Sequence, residues 1–143
     1  MKKQKIVINS CRGGFGLSAK AIVEYAKLKG KKIYFYTDIK FGESYKKISQ
    51  KEAGNKNTII FYSLYEDIGE NPTTKQLNGA EWLHVTDIER NDLDLIKVVK
   101  ELGKKANDRF SDLKIIIIPA NIEWQIGEYD GNEWVSEQHR TWD

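Results

Sequence analysis

The residues best equipped for chemistry lie together near the N-terminus, in Asn9-Ser10-Cys11-Arg12-Gly13-Gly14-Phe15-Gly16-Leu17-Ser18. Three glycines let a ligand approach the backbone closely, and Arg12 offers a planar fork of donors that matches phosphate or carboxylate. Ser18 is a good helix cap. A helix starting at Ala19 would turn its first N–H groups and the positive end of its dipole into this loop, an arrangement that binds anions. Gly14-x-Gly16-x-x-Ala19 also satisfies the relaxed dinucleotide fingerprint, and Asp38, about 20 residues on, stands where an acidic ribose ligand belongs. The fit is incomplete, because Ser10 to Gly13 separate the preceding strand from Gly14 where the usual turn is tighter. A P-loop is excluded, since no Gly-Lys-Ser/Thr follows the glycines. The same residues equally suit a structural end, in which Gly13, Gly14 and Gly16 allow a sharp turn and Phe15 plugs the core.

A second set gathers at the C-terminus: Trp124, Trp134 and Trp142 with Tyr129, His139 and Arg140. Aromatics beside arginine can stack a base and hold its phosphate, which makes His139, Arg140 and Trp142 candidate ligand-binding residues. The alternation of Trp124 and Ile126 against Trp134 and Ser136 equally suits one buried hairpin face. Glu123, Glu128, Glu133 and Glu137 could supply an acid/base pair with His139 as shuttle, but carboxylates alternating with aromatics ordinarily form a hairpin's solvated face. His84, beside Trp82, reads as structural. Two histidines and Cys11 at unrelated spacings imply no metal and no cofactor, and no base is paired with the Cys11 thiol.

These residues need elements to position them. Lys5 to Asn9 reads as a buried strand, and Ser18, the Ala19, Ile22, Val23, Ala26 spacing and Gly30 mark a capped helix. Ile33 to Thr37 is the next strand, completing a βαβ unit whose two strands are expected to be parallel. Residues 38–56 read as a loop with a short helix, Thr58 to Ser63 as a strand, and Glu66 to Ala80, with Asn71-Pro72 and Asn78-Gly79, as a loop. Trp82 to Val85 reads as a strand. A second helix starts near Asn91 or Asp92, its stripe of Ile96, Val99, Leu102, Ala106 and Phe110 carrying it through Gly103 to Asn107. Ile115 to Ile118 reads as a central strand, and Asp130-Gly131 joins Glu123–Tyr129 to Glu133–Gln138 as a hairpin. The expectation is a single α/β domain over residues 1–143, a mixed sheet with an N-terminal βαβ unit and a C-terminal β-hairpin.

Composition bounds the function. Of 143 residues, 40% are hydrophobic and 31% charged, an ordinary globular balance with a core large enough to need no staple. The run Ile115 to Pro119 is far too short to span a bilayer, so no membrane is expected as a partner. A net charge of +2 with both signs mixed gives no basic face for nucleic acid. A single cysteine fits a reducing cytosol. The basic residues are nearly all lysine, with only Arg12, Arg90, Arg109 and Arg140 carrying guanidinium groups; because these suit bidentate phosphate or carboxylate contacts, Arg12 and Arg140 attract more interest than the lysines.

Ile6-Val7-Ile8-Asn9 running into Gly13-Gly14-Phe15-Gly16-Leu17-Ser18, together with Glu128-Tyr129-Asp130-Gly131, Glu133-Trp134-Val135 and His139-Arg140-Thr141-Trp142, resembles a widespread group of small bacteriophage and prophage proteins. Glu101-Leu102-Gly103 is similar too, and the likeness covers about half of the chain, leaving out Asp38 to Arg90. Arg12 stands where tyrosine is expected, and Ala120-Asn121 where an acidic pair is expected. The resemblance implies a phage protein acting in the bacterial host cytoplasm, and by analogy one that acts against host defence. The leading expectation is a binding protein for a nucleotide-like, phosphate-bearing small molecule, which it sequesters without cleaving, in a chain that could form a homo-oligomer. Two alternatives stay open: a nucleotide or ADP-ribose hydrolase or transferase using Glu137 or His139, and a protein that inhibits a host factor through its hairpin and Trp142.

Overall fold

The computed structural model describes residues 2–39, 44–55, 58 and 60–138. Helices and strands are mixed along the chain, with β1 (Lys3–Asn9) followed by α1 (Ala19–Leu28) and a hairpin of β6 (Trp124–Tyr129) and β7 (Asn132–Glu137) at the C-terminal end. Among the described residues no helix is long and apolar enough to cross a membrane. The chain divides into two compact units, Met1–Leu17 with Thr86–Asp143, and Ser18–Val85.

In the first unit, β1 pairs with β5 (Leu113–Pro119), antiparallel, setting Val7 opposite Ile115 and Asn9 opposite Leu113. The parallel pairing expected of a βαβ unit is not formed. Instead β2 (Tyr34–Ile39) pairs with β3 (Ser44–Ile48) and β4 (Tyr62–Leu64), and every named strand pair is antiparallel. Nor is β5 a central strand, since its sheet holds β1 and β5 alone among the described residues and Ile117 is half exposed. Ile6, Val7 and Ile8 are all buried. Successive strand residues point to opposite faces, so β1 must be covered on both. α4 (Leu93–Leu102) and β7 pack against it, and α4 buries Leu95, Val98 and Val99. Asp92 caps α4 through its side chain, which accepts from Asp94 and Leu95 N–H. The α-helix stops at Leu102, short of the expected Asn107, because Gly103 turns to φ +57° and a 3-10 turn runs from Gly103 to Ala106. That break leaves Phe110 exposed.

The second unit is a three-stranded sheet in the order β3-β2-β4 with α1, α2 (Gln50–Ala53) and α3 (Thr74–Gly79). Tyr36, Tyr45, Leu64 and Leu77 form its core, joined by Tyr62 and Trp82. Three sequence expectations are corrected here. Residues 38–56 contain a strand, β3, besides the short helix; the strand expected over Thr58 to Ser63 begins only at Tyr62; and the expected loop from Glu66 to Ala80 holds α3. Thr73 and Gln76 form a reciprocal capping box that starts α3, which outweighs the flanking turn-forming pairs. Trp82 to Val85 is no strand. Trp82 makes one bridge to Leu64 and donates its indole N–H to the Leu77 carbonyl at 2.7 Å, and a 3-10 turn starts at Val85.

Candidate functional site

The glycine loop leaves β1 at Asn9, whose side chain is fully buried. Its Nδ2 donates to the carbonyls of Cys11 and Gly131, both at 2.7 Å, and its Oδ1 accepts from Asp112 N–H at 2.8 Å. Ser10 N–H donates to the Asp112 carbonyl, and the Cys11 thiol donates to the Phe110 carbonyl at 3.1 Å. One amide thus ties the loop to the hairpin tip and to the segment before β5. The tip is tight because Asp130 and Gly131 both take positive φ, 52° and 86°, as a two-residue turn requires.

The glycines answer to these contacts. A Cβ on Gly13 would lie 1.8 Å from the Phe110 carbonyl oxygen, and one on Gly16 would lie 1.9 Å from an Asp108 carboxylate oxygen. The chain therefore fills part of the loop with its own backbone and sets its own carboxylate against Gly16, where a bound anion would be repelled. Gly14, at φ +95°, has open space beside it, and Arg12 is exposed. Gly13→Ala is expected to cost about 1–3 kcal/mol through overpacking, and Gly14→Ala about 1–2 kcal/mol through left-handed backbone strain. Chemical denaturation of the two variants checks both.

Beneath the loop lies an ion pair that the sequence did not single out. Arg90 donates two parallel bonds to Glu133, at 2.6 and 2.8 Å, and its guanidinium lies 3.6 Å from the centroid of the Phe15 ring. Glu133 also accepts from Asn9 N–H at 2.8 Å. The expectation that the hairpin carboxylates form a solvated face therefore fails at Glu133, whose side chain is only 8% exposed. The hairpin register is also corrected. Tyr129 pairs with Asn132, so Ile126 faces Val135 and Gly127 faces Trp134, which places Trp134 and Ser136 on the face opposite Trp124 and Ile126. Trp134 instead lies against Gly127, where a Cβ would meet its indole at 2.3 Å. Trp124 donates to the Gln4 side chain at 3.1 Å.

Of the other expected residues, Leu17 is buried in the core, Phe15 is half-buried against Arg90, and Ser18 accepts from Ala21 N–H as the cap of α1. Asp38 is exposed on β2, opposite Tyr45, in the second unit. His139, Arg140 and Trp142 lie outside the described residues. His84 stacks on Trp82, with centroids 5.8 Å apart. Among the described residues no group of three or more His, Cys, Asp or Glu side chains is placed to hold a metal ion.

The second unit contains a cavity of about 310 Å³ that the sequence reading passed over. Four lysines line it: Lys27, Lys31, Lys32 and Lys47. Local structure explains their convergence. Gly30, at φ +75°, ends α1 in a Schellman turn, with Lys31 N–H donating to the Ala26 carbonyl at 2.8 Å and Gly30 N–H to that of Lys27 at 3.0 Å. This turns Lys31 and Lys32 back toward Lys27, while Lys47 arrives on β3. Val23, Ile33, Phe35 and Ile48 give the cavity apolar walls, and Ser49 and Gln50, at the start of α2, add polar groups.

Carboxylates outside the lining hold three of the lysines. Lys27 meets Glu24 at 3.5 Å and Lys31 meets Glu81 at 3.6 Å, both exposed pairs of the kind worth about 0–1 kcal/mol. Lys47 is held more closely, at 2.8 Å from Asp67, with its ammonium 5.1 Å from the centroid of the Tyr34 ring. The hydrogen bond from Lys47, then that from Gly69 N–H, lowers the Asp67 pKa below the ordinary carboxylate range, and the bond to Asp67 raises that of Lys47. The Asp67 contribution to stability is complete above the ordinary carboxylate value and lost as pH falls through the lowered one. That of Lys47 is complete below the ordinary amine value and lost as pH rises through the raised one. The latch is closed across the neutral range. The signal in the sequence was the cluster Lys29-Gly30-Lys31-Lys32, which alone reads as a solvated surface. Compared with protein-family models, with curated proteins and with solved structures, the chain finds no match.

Proposed function

We propose that this chain binds a phosphate-bearing small molecule in the lysine-lined cavity of its second unit. The observation that carries the reading is four lysine residues lining one concave site whose described lining contains no carboxylate. Lysine binds phosphate as a point charge, and low-polarity walls strengthen each contact. Among the described residues that line the cavity there is also no histidine or thiol, which favours capture over turnover. Joined to the likeness to small phage proteins, the proposal extends to sequestration of a nucleotide-derived signal, held unchanged, in the cytoplasm of a bacterial host.

The test is thermal unfolding of the protein against a panel of nucleotides and phosphorylated metabolites, with chromatography of the recovered compound. A binder at about 100 times its Kd raises stability by about 2.7 kcal/mol. Lys32→Ala is expected to weaken binding by about 1.5–3 kcal/mol, the worth of a charge-assisted hydrogen bond. Arg12→Ala should leave it unchanged, because Arg12 is not among the residues that line the cavity. The reverse pattern would move the site to the glycine loop, and a panel with no binder would remove the proposal. A cleaved product would turn it into an enzyme.

A second reading rests on the filled glycine loop. If Gly13 and Gly16 serve only packing, then exposed Arg12, Phe110 and Tyr129 present a protein-binding surface, since arginine and aromatics dominate such contacts. It expects Tyr129→Ala to abolish binding of a host partner and to leave the nucleotide panel unaffected.

A further inference from the structure

We infer that the cavity takes a monophosphate carried on one compact, partly apolar ring body, as in a nucleoside monophosphate, in preference to a polyphosphate or to phosphate alone. The inference rests on the proposed phosphate-binding function and specifies its ligand.

Charge is the first ground. Three of the four lining lysines pair with carboxylates just outside, Glu24, Glu81 and Asp67, which leaves Lys32 in excess of these pairs among the described residues. A phosphate monoester carries about −1.5 to −2 near neutral pH. It meets that excess and can draw further on the two weak, exposed pairs of Lys27 and Lys31. A triphosphate would need every acid partner displaced, including Asp67, which also accepts from Tyr36 and from Gly69 N–H.

The walls are the second ground. Inorganic phosphate has nothing to set against Phe35, Ile33 and Ile48, whereas a ring body buries that apolar surface, at about 25 cal/mol per Å². Tyr34 lies on the same lining with Lys47 over its ring, so an aromatic face and a cation share one wall. Gln50 adds an amide able both to donate and to accept along the polar edge of a base. Size is the third ground. At about 310 Å³ the cavity is at the lower end of the roughly 300–1,000 Å³ typical of small-molecule sites, which suits one nucleoside unit better than two.

Isothermal titration of the full chain with adenosine and guanosine 5′-monophosphates, adenosine, inorganic phosphate and adenosine triphosphate, at one ionic strength, tests the inference. A monophosphate is expected to bind at least tenfold more tightly than adenosine or phosphate and no more weakly than the triphosphate. Lys32→Glu, at an exposed lining position, should cost it at least tenfold without moving the Tm of the unliganded protein. Asp67→Asn keeps an acceptor for Tyr36 and should raise the triphosphate affinity more than that of the monophosphate. If phosphate alone binds equally well, if the triphosphate binds more tightly, or if neither monophosphate binds while other phosphorylated compounds do, the inference is overturned and the phosphate-binding function stands. If no phosphorylated compound binds, both fall.

Discussion

Glu133→Ala is expected to lower the unfolding free energy by about 3–5 kcal/mol, the largest effect of any single truncation considered. The physical reason is what stays behind. Arg90, 16% exposed, keeps its charge but loses both of its short carboxylate bonds, retaining only a 3.3 Å bond to the Val7 carbonyl and the Phe15 ring. Asn9 N–H loses its acceptor at the same moment. Urea unfolding measures the change as a shift in midpoint at constant slope. Replacing both charges, Arg90→Leu with Glu133→Leu, should recover much of the loss, since a well-packed apolar pair carries no desolvation cost. A loss under about 1 kcal/mol for the single variant would put the pair in the class of solvated surface bridges and contradict its burial.

Asn9→Ala is expected to cost about 2–5 kcal/mol, since each polar group left unsatisfied costs about 1–3 kcal/mol. The variant deprives the Cys11 and Gly131 carbonyls of a donor and Asp112 N–H of an acceptor. The experiment also separates two roles. As a brace, Asn9 affects stability and leaves phosphate affinity at the wild-type value once the protein is folded. As a ligand group, it would do the opposite, and wild-type stability with lost binding would return the site to the loop.

Local chemistry made several elements legible. Asp130-Gly131 marked the hairpin, Ser18 and Gly30 bracketed α1, and Asp92 opened α4. Turn length also contains the hairpin register, because a two-residue turn pairs Tyr129 with Asn132 and so matches even-numbered residues with odd; reading Trp134 onto the face of Trp124 missed that parity. α3 was legible in Thr73 and Gln76, and turn signals on both sides hid it. The rest was not local. β1 meets β5 across some 100 residues of chain, and an apolar run buried on both faces does not name its partner. Arg90 and Glu133 are 43 residues apart, with no spacing rule to join them. The cavity was hidden for the same reason, since Lys31 and Lys32 look like solvated charge until β3 brings Lys47 beside them.

The division of the chain has a consequence for the order of synthesis. All strand pairs of the second unit close between Tyr34 and Leu64, whereas β1 finds its partner only when Leu113–Pro119 has been made. A growing chain therefore carries Ile6-Val7-Ile8 as an unpaired apolar edge until β5 has been made, the kind of segment that recruits other nascent chains. Lys2, Lys3 and Lys5 directly precede it. Their shared positive charge opposes the docking of two such edges before β5 covers them.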